Sequence, residues 1–216
     1  MGFLYKGRKG LSILSYTALK MDSDFDFLEI YDDTLSKEEC NHLITQFDGV
    51  DPGRKVYGAH GGAEGGKKAT TLFCDLRENV FDDFNKTVVS SLAMGLPKYK
   101  ERYSFLDEQL AWDISRYYNV QKYTEGQGYY ALHCEHFGGA PFRMLVWMIY
   151  LNDAECGTEF PYQNKTVDAK AGRLVLWPAA WTHPHKGVTP NKGLKYIATG
   201  WYSYRDHSTS TFRTKS

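Results

Sequence analysis

Apolar and polar positions in the first part of the chain predict one strand and two amphipathic helices. Residues 25–33 alternate between apolar and polar side chains, which is the period of a strand. Ser36 precedes Glu39 by three residues, the spacing of a capping box, and apolar residues then recur at helical intervals at Cys40, Leu43, Ile44 and Phe47. A second helical pattern begins at Asn79 and is expected to stop by the Gly-Leu-Pro sequence at 95–97.

A glycine-rich segment separates the two predicted helices. Residues 49–68 contain seven glycines and few apolar side chains, so we expect a long mobile loop, followed by a short strand at 70–74. Loops of this length in compact domains are often lids over a site. A plain surface insertion is the alternative reading of this segment.

The second half of the chain predicts a dense run of short strands. The sequences LAWDISRYYNVQKY and AGRLVLWP are rich in aromatic and β-branched residues, and turn residues lie between such runs. With 216 residues and 42% hydrophobic residues, one domain can bury a full core. We therefore expect a single domain over residues 1–216, with its core at about 27–204, an N-terminal arm at 1–26 and a polar tail at 205–216. The predicted fold class is mainly β (α+β), a closed or sandwich-like core supported by N-terminal helices.

Charge and cysteine usage exclude several classes of protein. Lys plus Arg and Asp plus Glu number 26 each, so no net positive field attracts the chain to nucleic acid. No apolar run reaches the length of a membrane span. The four cysteines include no CxxC pair, which is untypical of a disulfide framework and fits a reducing compartment. The expectation is a soluble, cytoplasmic protein without a nucleic-acid or membrane partner.

Candidate metal ligands lie in the second half. In a strand, His133 and Glu135 would share one face, while Cys134 would point away from it. Two imidazoles and one carboxylate on one side of a metal are typical of non-haem Fe(II) sites, and His183 and His185 are both candidates for the second imidazole. Lys195 follows His185 by ten residues across the turn sequence VTPNKG, so these two could face each other in a hairpin. An ammonium group there suits the far carboxylate of a metal-chelating dicarboxylic acid such as 2-oxoglutarate.

These residues carry a family resemblance. HxE, about fifty residues, then HxG with a Lys ten positions after the His resembles the 2-oxoglutarate and Fe(II)-dependent oxygenases, most closely the prolyl 4-hydroxylase group. The flanking sequences YTEGQGYYALHCE, IYLND and GLKY with a later Trp are also similar to that group. The resemblance covers roughly residues 27–204. One departure is Glu135, because the group usually has Asp at this position.

The resemblance implies a set of site residues. His133, Glu135 and His185 match the iron ligands, and Lys195 matches the partner of the 2-oxoglutarate tail carboxylate. Further contacts to the cosubstrate are implied for Tyr123, Tyr150 and Thr199. Strand alternation agrees with this assignment, because alternate residues of a strand share one face. Two such sets are Lys195, Ile197, Thr199 and Trp201, and Val146, Met148 and Tyr150. A structural role is the alternative for each residue taken alone, and it is the expected role of His136 and of a near-surface His183.

The resemblance also implies a fold and an activity. The fold would be a double-stranded β-helix, a jelly-roll or cupin-like core. The activity would be hydroxylation of an unactivated C–H bond, with Fe(II), 2-oxoglutarate and O₂, with ascorbate as a candidate reductant, and with succinate and CO₂ as coproducts. The expected substrate is a prolyl residue in a peptide or protein partner. A free amino acid or small metabolite is the alternative substrate, and a non-catalytic metal-binding interaction module is the alternative of another class.

Overall fold

The computed structural model describes residues 25–59 and 66–205, which form antiparallel sheets and two long helices. The helices are α1 (Lys37–Gly49) and α2 (Asp82–Arg102). The strands are β1 (Glu29–Tyr31), β2 (Lys55–Ala59), β3 (Lys68–Asp75), β4 (Trp112–Ile114), β5 (Tyr117–Tyr123), β6 (Arg143–Tyr150), β7 (Ala154–Phe160), β8 (Lys165–Ala169), β9 (Leu174–Pro178), β10 (Lys186–Gly187) and β11 (Lys195–Tyr204). Short 3₁₀ helices span Pro52–Arg54, Asn79–Phe81, Ser104–Glu108 and Pro161–Gln163. Most of the predicted arm and tail, and the middle of the glycine-rich segment at 60–65, lie outside the described residues.

Two antiparallel sheets face each other. The larger has the order β1-β9-β6-β11-β5-β3-β2, with β4 also paired to β11, and the smaller has the order β10-β7-β8. Alternate side chains of β6 point to opposite faces of the large sheet. Leu145, Trp147 and Ile149 enter a core shared with the helices, whereas Val146 and Met148 enter a second core between the two sheets. The parity predicted for β6 is thus confirmed.

The helices cover the outer face of the large sheet. Helix α1 begins at the predicted capping box: the Glu39 N–H donates to Ser36 Oγ (3.1 Å), and the Ser36 N–H donates to Glu39 Oε2 (2.7 Å). These bonds satisfy two of the N–H groups that a helix start leaves unpaired. Its residues Cys40, Leu43 and Phe47 are buried in the outer core.

Helix α2 does not stop by Pro97, as the sequence pattern predicts, but continues to Arg102. Proline removes one helical hydrogen bond, so the last turns need support from elsewhere. Tyr99 supplies some of that support, since it is 1% exposed in the outer core and its hydroxyl donates to the Phe27 carbonyl (2.9 Å). Tertiary packing therefore overrides the local stop signal.

Two other predictions on loops are wrong. Residues 49–68 are not a loop throughout, because β2 forms within them and pairs with β3. The predicted hairpin between His185 and Lys195 is also absent from the described residues: β10 pairs with β7, whereas β11 pairs with β4, β5 and β6. His185 and Lys195 thus approach the space between the sheets from different directions. None of the described helices has the length and apolarity required to span a bilayer.

Gly200 of β11 allows the strand to pass under the Trp147 ring. A Cβ at this position would lie 2.4 Å from Trp147 Cζ2 and 2.9 Å from Tyr118 Cβ. Gly200→Ala should therefore destabilise the fold by about 1–3 kcal/mol, the usual cost of overpacking a rigid core. Urea unfolding measures this loss. Gly49→Ala is the matched control, because a Cβ there meets nothing within 4 Å. Equal stability of the two variants would contradict the prediction.

Candidate active site

Two histidines are joined by their backbones at one end of the space between the sheets. The His133 N–H donates to the His185 carbonyl (3.0 Å), and the His185 N–H donates to the His133 carbonyl (2.8 Å). This is an isolated bridge and not the predicted strand. Glu135 is fixed separately, since its N–H donates to the carbonyl of Ala179 (3.1 Å). Loop hydrogen bonds, and not strand alternation, therefore bring Glu135 to the side of His133.

The side chains of these three residues converge. Glu135 Oε1 lies 3.3 Å from His133 Nε2 and 3.7 Å from His185 Nε2. One donor atom from each residue falls within 4.8 Å of the others. The Nδ1 atoms point away, to the carbonyl oxygens of Ala131 (2.9 Å) and His183 (3.0 Å). Because a carbonyl only accepts, each Nδ1 carries a proton, and each Nε2 is left for a proton or a metal. Two imidazole nitrogens and one carboxylate oxygen fit a divalent transition metal.

The second oxygen of Glu135 is held by other groups. Oε2 accepts hydrogen bonds from Arg143 Nη1 (2.8 Å) and from Trp201 Nε1 (3.0 Å). Burial by itself would raise the pKa of Glu135, but the nearby imidazoles of His133 and His185 outweigh this effect and hold the pKa well below its usual range. Glu135 is therefore a carboxylate with one oxygen anchored and the other turned towards both imidazoles.

Arg143 is a site residue that the sequence analysis missed. It opens β6, and its guanidinium carbon lies 3.4 Å from the centroid of the Trp201 ring. Burial lowers the pKa of Arg143, and the charge of Glu135 opposes that shift. The available signal was a lone Arg at the start of an apolar run, eight residues after Glu135. The Glu135 side chain is one methylene longer than the usual Asp, and the contact from Arg143 suits a residue that fixes the position of this longer carboxylate.

Replacing Arg143 should weaken metal binding without removing a ligand. Arg143→Met removes one of the two hydrogen bonds to Glu135 Oε2 and leaves the one from Trp201 Nε1. We therefore expect a loss of about 10–100-fold in Mn(II) or Fe(II) affinity, the usual effect of losing an outer hydrogen bond to a ligand. Anaerobic metal titration measures it. Arg143→Lys should recover part of the loss, because Lys donates to the carboxylate but does not stack as a planar fork. Unchanged metal affinity in Arg143→Met would refute the positioning role.

Lys195 occupies a separate, deeply buried position. It pairs with Tyr123 across β11 and β5 and is 2% exposed. Its Nζ donates to the carbonyls of Gly157 (3.2 Å) and Val188 (3.0 Å) and lies 4.9 Å from the centroid of the Tyr123 ring. Burial lowers the Lys195 pKa. Among the described residues no carboxylate forms a salt bridge with Lys195. An ammonium has three donors, so one remains for a ligand.

A cavity of about 250 Å³ connects the histidine pair with Lys195. Six of the seven predicted site residues line it, namely His133, Glu135, His185, Lys195, Tyr123 and Thr199. Tyr150 does not line it: the Tyr150 hydroxyl donates to Thr158 Oγ1 (2.8 Å), and Thr158 faces the cavity instead. The Thr199 hydroxyl donates to the Trp147 carbonyl (3.0 Å). Lys195, Ile197, Thr199 and Trp201 all line the cavity, as their parity predicts.

Other cavity residues were also missed. Asn119 and Gln121 lie on the same face of β5 as Tyr123, and the Tyr123 hydroxyl donates to Gln121 Oε1 (2.6 Å). Polar residues alternating with buried apolar ones in YYNVQKY are a signal that could have found them. Lys67 is half-buried at the cavity wall, and burial lowers its pKa to about 8 while the charge of Glu135 opposes the shift.

His183 has a structural environment. It is 3% exposed, so its predicted near-surface position is wrong. Its Nε2 faces the Asp26 carbonyl (2.7 Å) and its Nδ1 faces Thr182 Oγ1 (2.9 Å). Both ring nitrogens are therefore occupied, which leaves His185 as the histidine of this pair that faces Glu135.

Comparisons with known proteins point to one family. Residues 118–203 match the model of the 2OG-Fe(II) oxygenase superfamily. A viral collagen prolyl hydroxylase from Paramecium bursaria Chlorella virus-1, solved with 2OG, is similar at 21% identity and a TM-score of 0.57, covering 82% of this chain and 96% of its own. A prolyl-4-hydroxylase from Pseudomonas putida is similar at 16% identity and a TM-score of 0.61, covering 83% and 94%.

A third similar structure is a Trichoplax adhaerens prolyl hydroxylase in complex with a peptide fragment of the hypoxia inducible factor oxygen degradation domain. It is 18% identical with a TM-score of 0.64, covering 83% of this chain and 84% of its own. The comparison with curated proteins gave no match. These structures have the double-stranded β-helix fold, so the predicted fold class is confirmed.

Fold, site and family match agree with one another: residues 118–203 match the 2OG-Fe(II) oxygenase superfamily, and the three-residue cluster that lies within this range could hold a metal ion. The 2OG-Fe(II) oxygenase superfamily uses Fe(II), 2-oxoglutarate and O₂, which are the cofactors that the sequence predicts.

Proposed function

We propose that this chain is a 2-oxoglutarate- and Fe(II)-dependent dioxygenase and that it hydroxylates a prolyl residue in a peptide or protein. The observation that carries the proposal is the cavity, because it joins a two-histidine, one-carboxylate cluster to a buried lysine that has no acid partner among the described residues. The cluster suits the metal, and the lysine suits a diacid cosubstrate. When bound, Fe(II) and 2-oxoglutarate supply the oxidising chemistry, with O₂ consumed, succinate and CO₂ released and one oxygen atom delivered to a substrate C–H bond.

His133, Glu135 and His185 are proposed to hold the iron. Their role is to present three donors with fixed orientation: both imidazoles are anchored through Nδ1, and the carboxylate is anchored through Oε2. Anchoring of this kind fixes the tautomer and keeps each ligand in place before the metal arrives.

Lys195 is proposed to bind the far carboxylate of 2-oxoglutarate. Its two carbonyl partners orient the ammonium, and the low-water surroundings strengthen a charge-assisted hydrogen bond. Tyr123 and Thr199 line the same cavity and are proposed as further contacts to the cosubstrate. Burial raises the Tyr123 pKa well above its usual range, so its hydroxyl keeps its proton, which it donates to Gln121 Oε1 until a cosubstrate accepts it instead. Tyr150 would act indirectly, by positioning Thr158.

A peptide substrate is supported by the opening of the cavity. Phe73 and Phe137 line it and are 56% and 55% exposed, so they form an aromatic border accessible from solvent. Aromatic faces suit the apolar ring of proline. Two similar structures agree with this choice, since one is a collagen prolyl hydroxylase and another holds a peptide. We further propose that residues 1–216 form one oxygenase domain with its core at about 27–204.

The test combines cosubstrate turnover with substrate mass. Protein with Fe(II), 2-oxoglutarate and ascorbate is incubated with a library of proline-containing peptides, and succinate and the addition of one oxygen atom are measured. Matched peptides with Ala in place of Pro should gain no oxygen. Oxygen incorporation only into free amino acids or other small molecules would refute the prolyl peptide substrate. Absence of succinate under every condition would refute the catalytic assignment.

A further inference from the structure

The cavity has an excess of positive side chains. Lys67, Arg143 and Lys195 line it, whereas Glu135 is its one acidic lining residue within the described chain. The two histidines are neutral when they bind a metal. The charge of Fe(II) and that of the 2-oxoglutarate dianion cancel. The loaded cavity therefore keeps the net charge of its own side chains, which is three positive minus one negative, or about plus two.

The individual partners show where that excess lies. Arg143 bonds to Glu135 at 2.8 Å, and Lys195 is assigned to the cosubstrate. Lys67 has neither partner. Within residues 25–59 and 66–205 no carboxylate lies within 4.0 Å of its Nζ and it makes no side-chain hydrogen bond; its contact is with the Tyr129 ring, whose centroid is 5.4 Å away. A half-buried ammonium that finds no hydrogen-bond acceptor among the described residues is costly unless something else pairs with it.

The backbone around Lys67 is well anchored. Lys67 forms a bridge with Tyr129, and the next N–H, that of Lys68, donates to the Gly128 carbonyl (2.8 Å). Tyr129 in turn stacks on His133, with ring centroids 3.6 Å apart and planes 13° apart. One aromatic ring therefore separates Lys67 from the proposed metal cluster. The Lys67 ammonium therefore lies on the His133 side of the cavity, whereas the Lys195 ammonium contacts the carbonyls of Gly157 and Val188.

We propose that Lys67 binds a carboxylate of the substrate, next to the residue that is hydroxylated. This inference rests on the proposed function and narrows it: the substrate is acidic beside its reactive carbon. Two sources have that chemistry, an Asp or Glu side chain flanking the proline and the free α-carboxylate of a C-terminal proline or of proline itself. Two different lysines would then have the two roles: Lys67 binds the substrate carboxylate, and Lys195 binds 2-oxoglutarate.

The experiment compares Lys67→Met with Lys68→Met. Lys68 is the adjacent residue, is exposed and does not line the cavity, so it is a matched control. The probes are a capped neutral prolyl peptide, the same peptide with Glu beside Pro, one with Lys beside Pro, one with a free C-terminal proline, and L-proline. Binding is measured by calorimetry on protein loaded with Mn(II) and 2-oxoglutarate without oxygen, and hydroxylation is measured separately with Fe(II).

The wild type and Lys68→Met should bind at least one carboxylate-bearing probe about tenfold or more tightly than the neutral peptide. Lys67→Met should lose that preference while binding the neutral peptide as before, and Lys67→Glu should favour the Lys-containing peptide. The probe that binds more tightly shows whether Lys67 recognises an acidic side chain beside the proline or a free α-carboxylate. Thermal unfolding of each variant checks that the fold is retained.

Two results would overturn the inference: equal binding of neutral and acidic probes by the wild type, or an unchanged preference in Lys67→Met. A rise in the 2-oxoglutarate KM of Lys67→Met, with the substrate preference intact, would also overturn it and assign Lys67 to the cosubstrate. These outcomes leave the proposed function standing if neutral prolyl peptides are hydroxylated. Conversely, a Lys67-dependent carboxylate preference without hydroxylation of any prolyl probe would support the inference and refute the prolyl substrate.

Discussion

His133→Ala is expected to reduce turnover to background and to weaken metal binding strongly. Metal sites with four ligands bind with about 10–16 kcal/mol in small proteins, so one imidazole accounts for about 3 kcal/mol, roughly two powers of ten in affinity. Glu135 Oε1 and His185 Nε2 would remain, 3.7 Å apart, but the third donor atom would be missing. Anaerobic Fe(II) titration with 2-oxoglutarate, followed by the visible charge-transfer band, measures the loss together with succinate formation.

His136→Ala is the matched control for this prediction. His136 is three residues away and exposed, and it is not part of the three-residue cluster. It should keep both the absorption band and the turnover of the wild type. His133 also stacks on Tyr129, so urea unfolding must show that His133→Ala is folded. A folded His133→Ala protein with normal iron affinity would refute the assignment of His133 as a ligand.

The sequence predicted which candidate residues lie close together better than it predicted how they are positioned. The spacing of HxE, the distal His and the later Lys is enough to expect His133, Glu135, His185 and Lys195 near one another, and all four line one cavity. Strand alternation was expected to bring His133 and Glu135 together, and a hairpin was expected to bring His185 and Lys195 together. The structure has a single bridge between His133 and His185 and places Lys195 opposite Tyr123. The spacing of a motif indicates which residues belong together. It does not predict how the strands that carry them pair, because that pairing depends on segments far apart in the chain.

The residues that sequence reasoning missed share a physical cause. Arg143 belongs to the site because β6 starts beside the loop that carries Glu135, and Lys67 because β3 starts beside Tyr129. Neither closeness is visible in local periodicity, since both result from pairing between segments far apart in the chain. Asn119 and Gln121 differ, because polar residues on one face of a buried strand are a local signal.

The helices illustrate the same division between local and tertiary information. The capping box at Ser36 is a local device within four residues, and both of its hydrogen bonds form. The end of α2 depends on tertiary contacts, since Tyr99 and Tyr103 pack against the outer core beyond Pro97. The energy of that burial exceeds the cost of one missing helical hydrogen bond, so the local stop signal is not obeyed.

Lys195→Met is expected to raise the KM for 2-oxoglutarate by about 10- to 100-fold. The substitution keeps the length and apolar stem of the side chain but removes the charge, so a bound diacid would bury an unpaired carboxylate. A charge-assisted hydrogen bond contributes about 1.5–3 kcal/mol, which corresponds to that range. Steady-state succinate formation at varied 2-oxoglutarate gives KM and kcat separately. The metal affinity without cosubstrate should be unchanged, because Lys195 contacts Gly157 and Val188 and none of the three proposed ligands.

A cosubstrate without the far carboxylate separates loss of this ion pair from general damage. The wild type should strongly prefer 2-oxoglutarate to a 2-oxo monoacid such as 2-oxobutanoate, and Lys195→Met should lose most of that preference by binding the diacid worse, not the monoacid. Lys122→Met is the matched control, since Lys122 points from β5 to the outer face and pairs with Asp48 at 2.9 Å. A Lys195→Met enzyme that retained the diacid preference would show that another cation receives the far carboxylate, and Lys67 would then be the next lysine of the cavity to change.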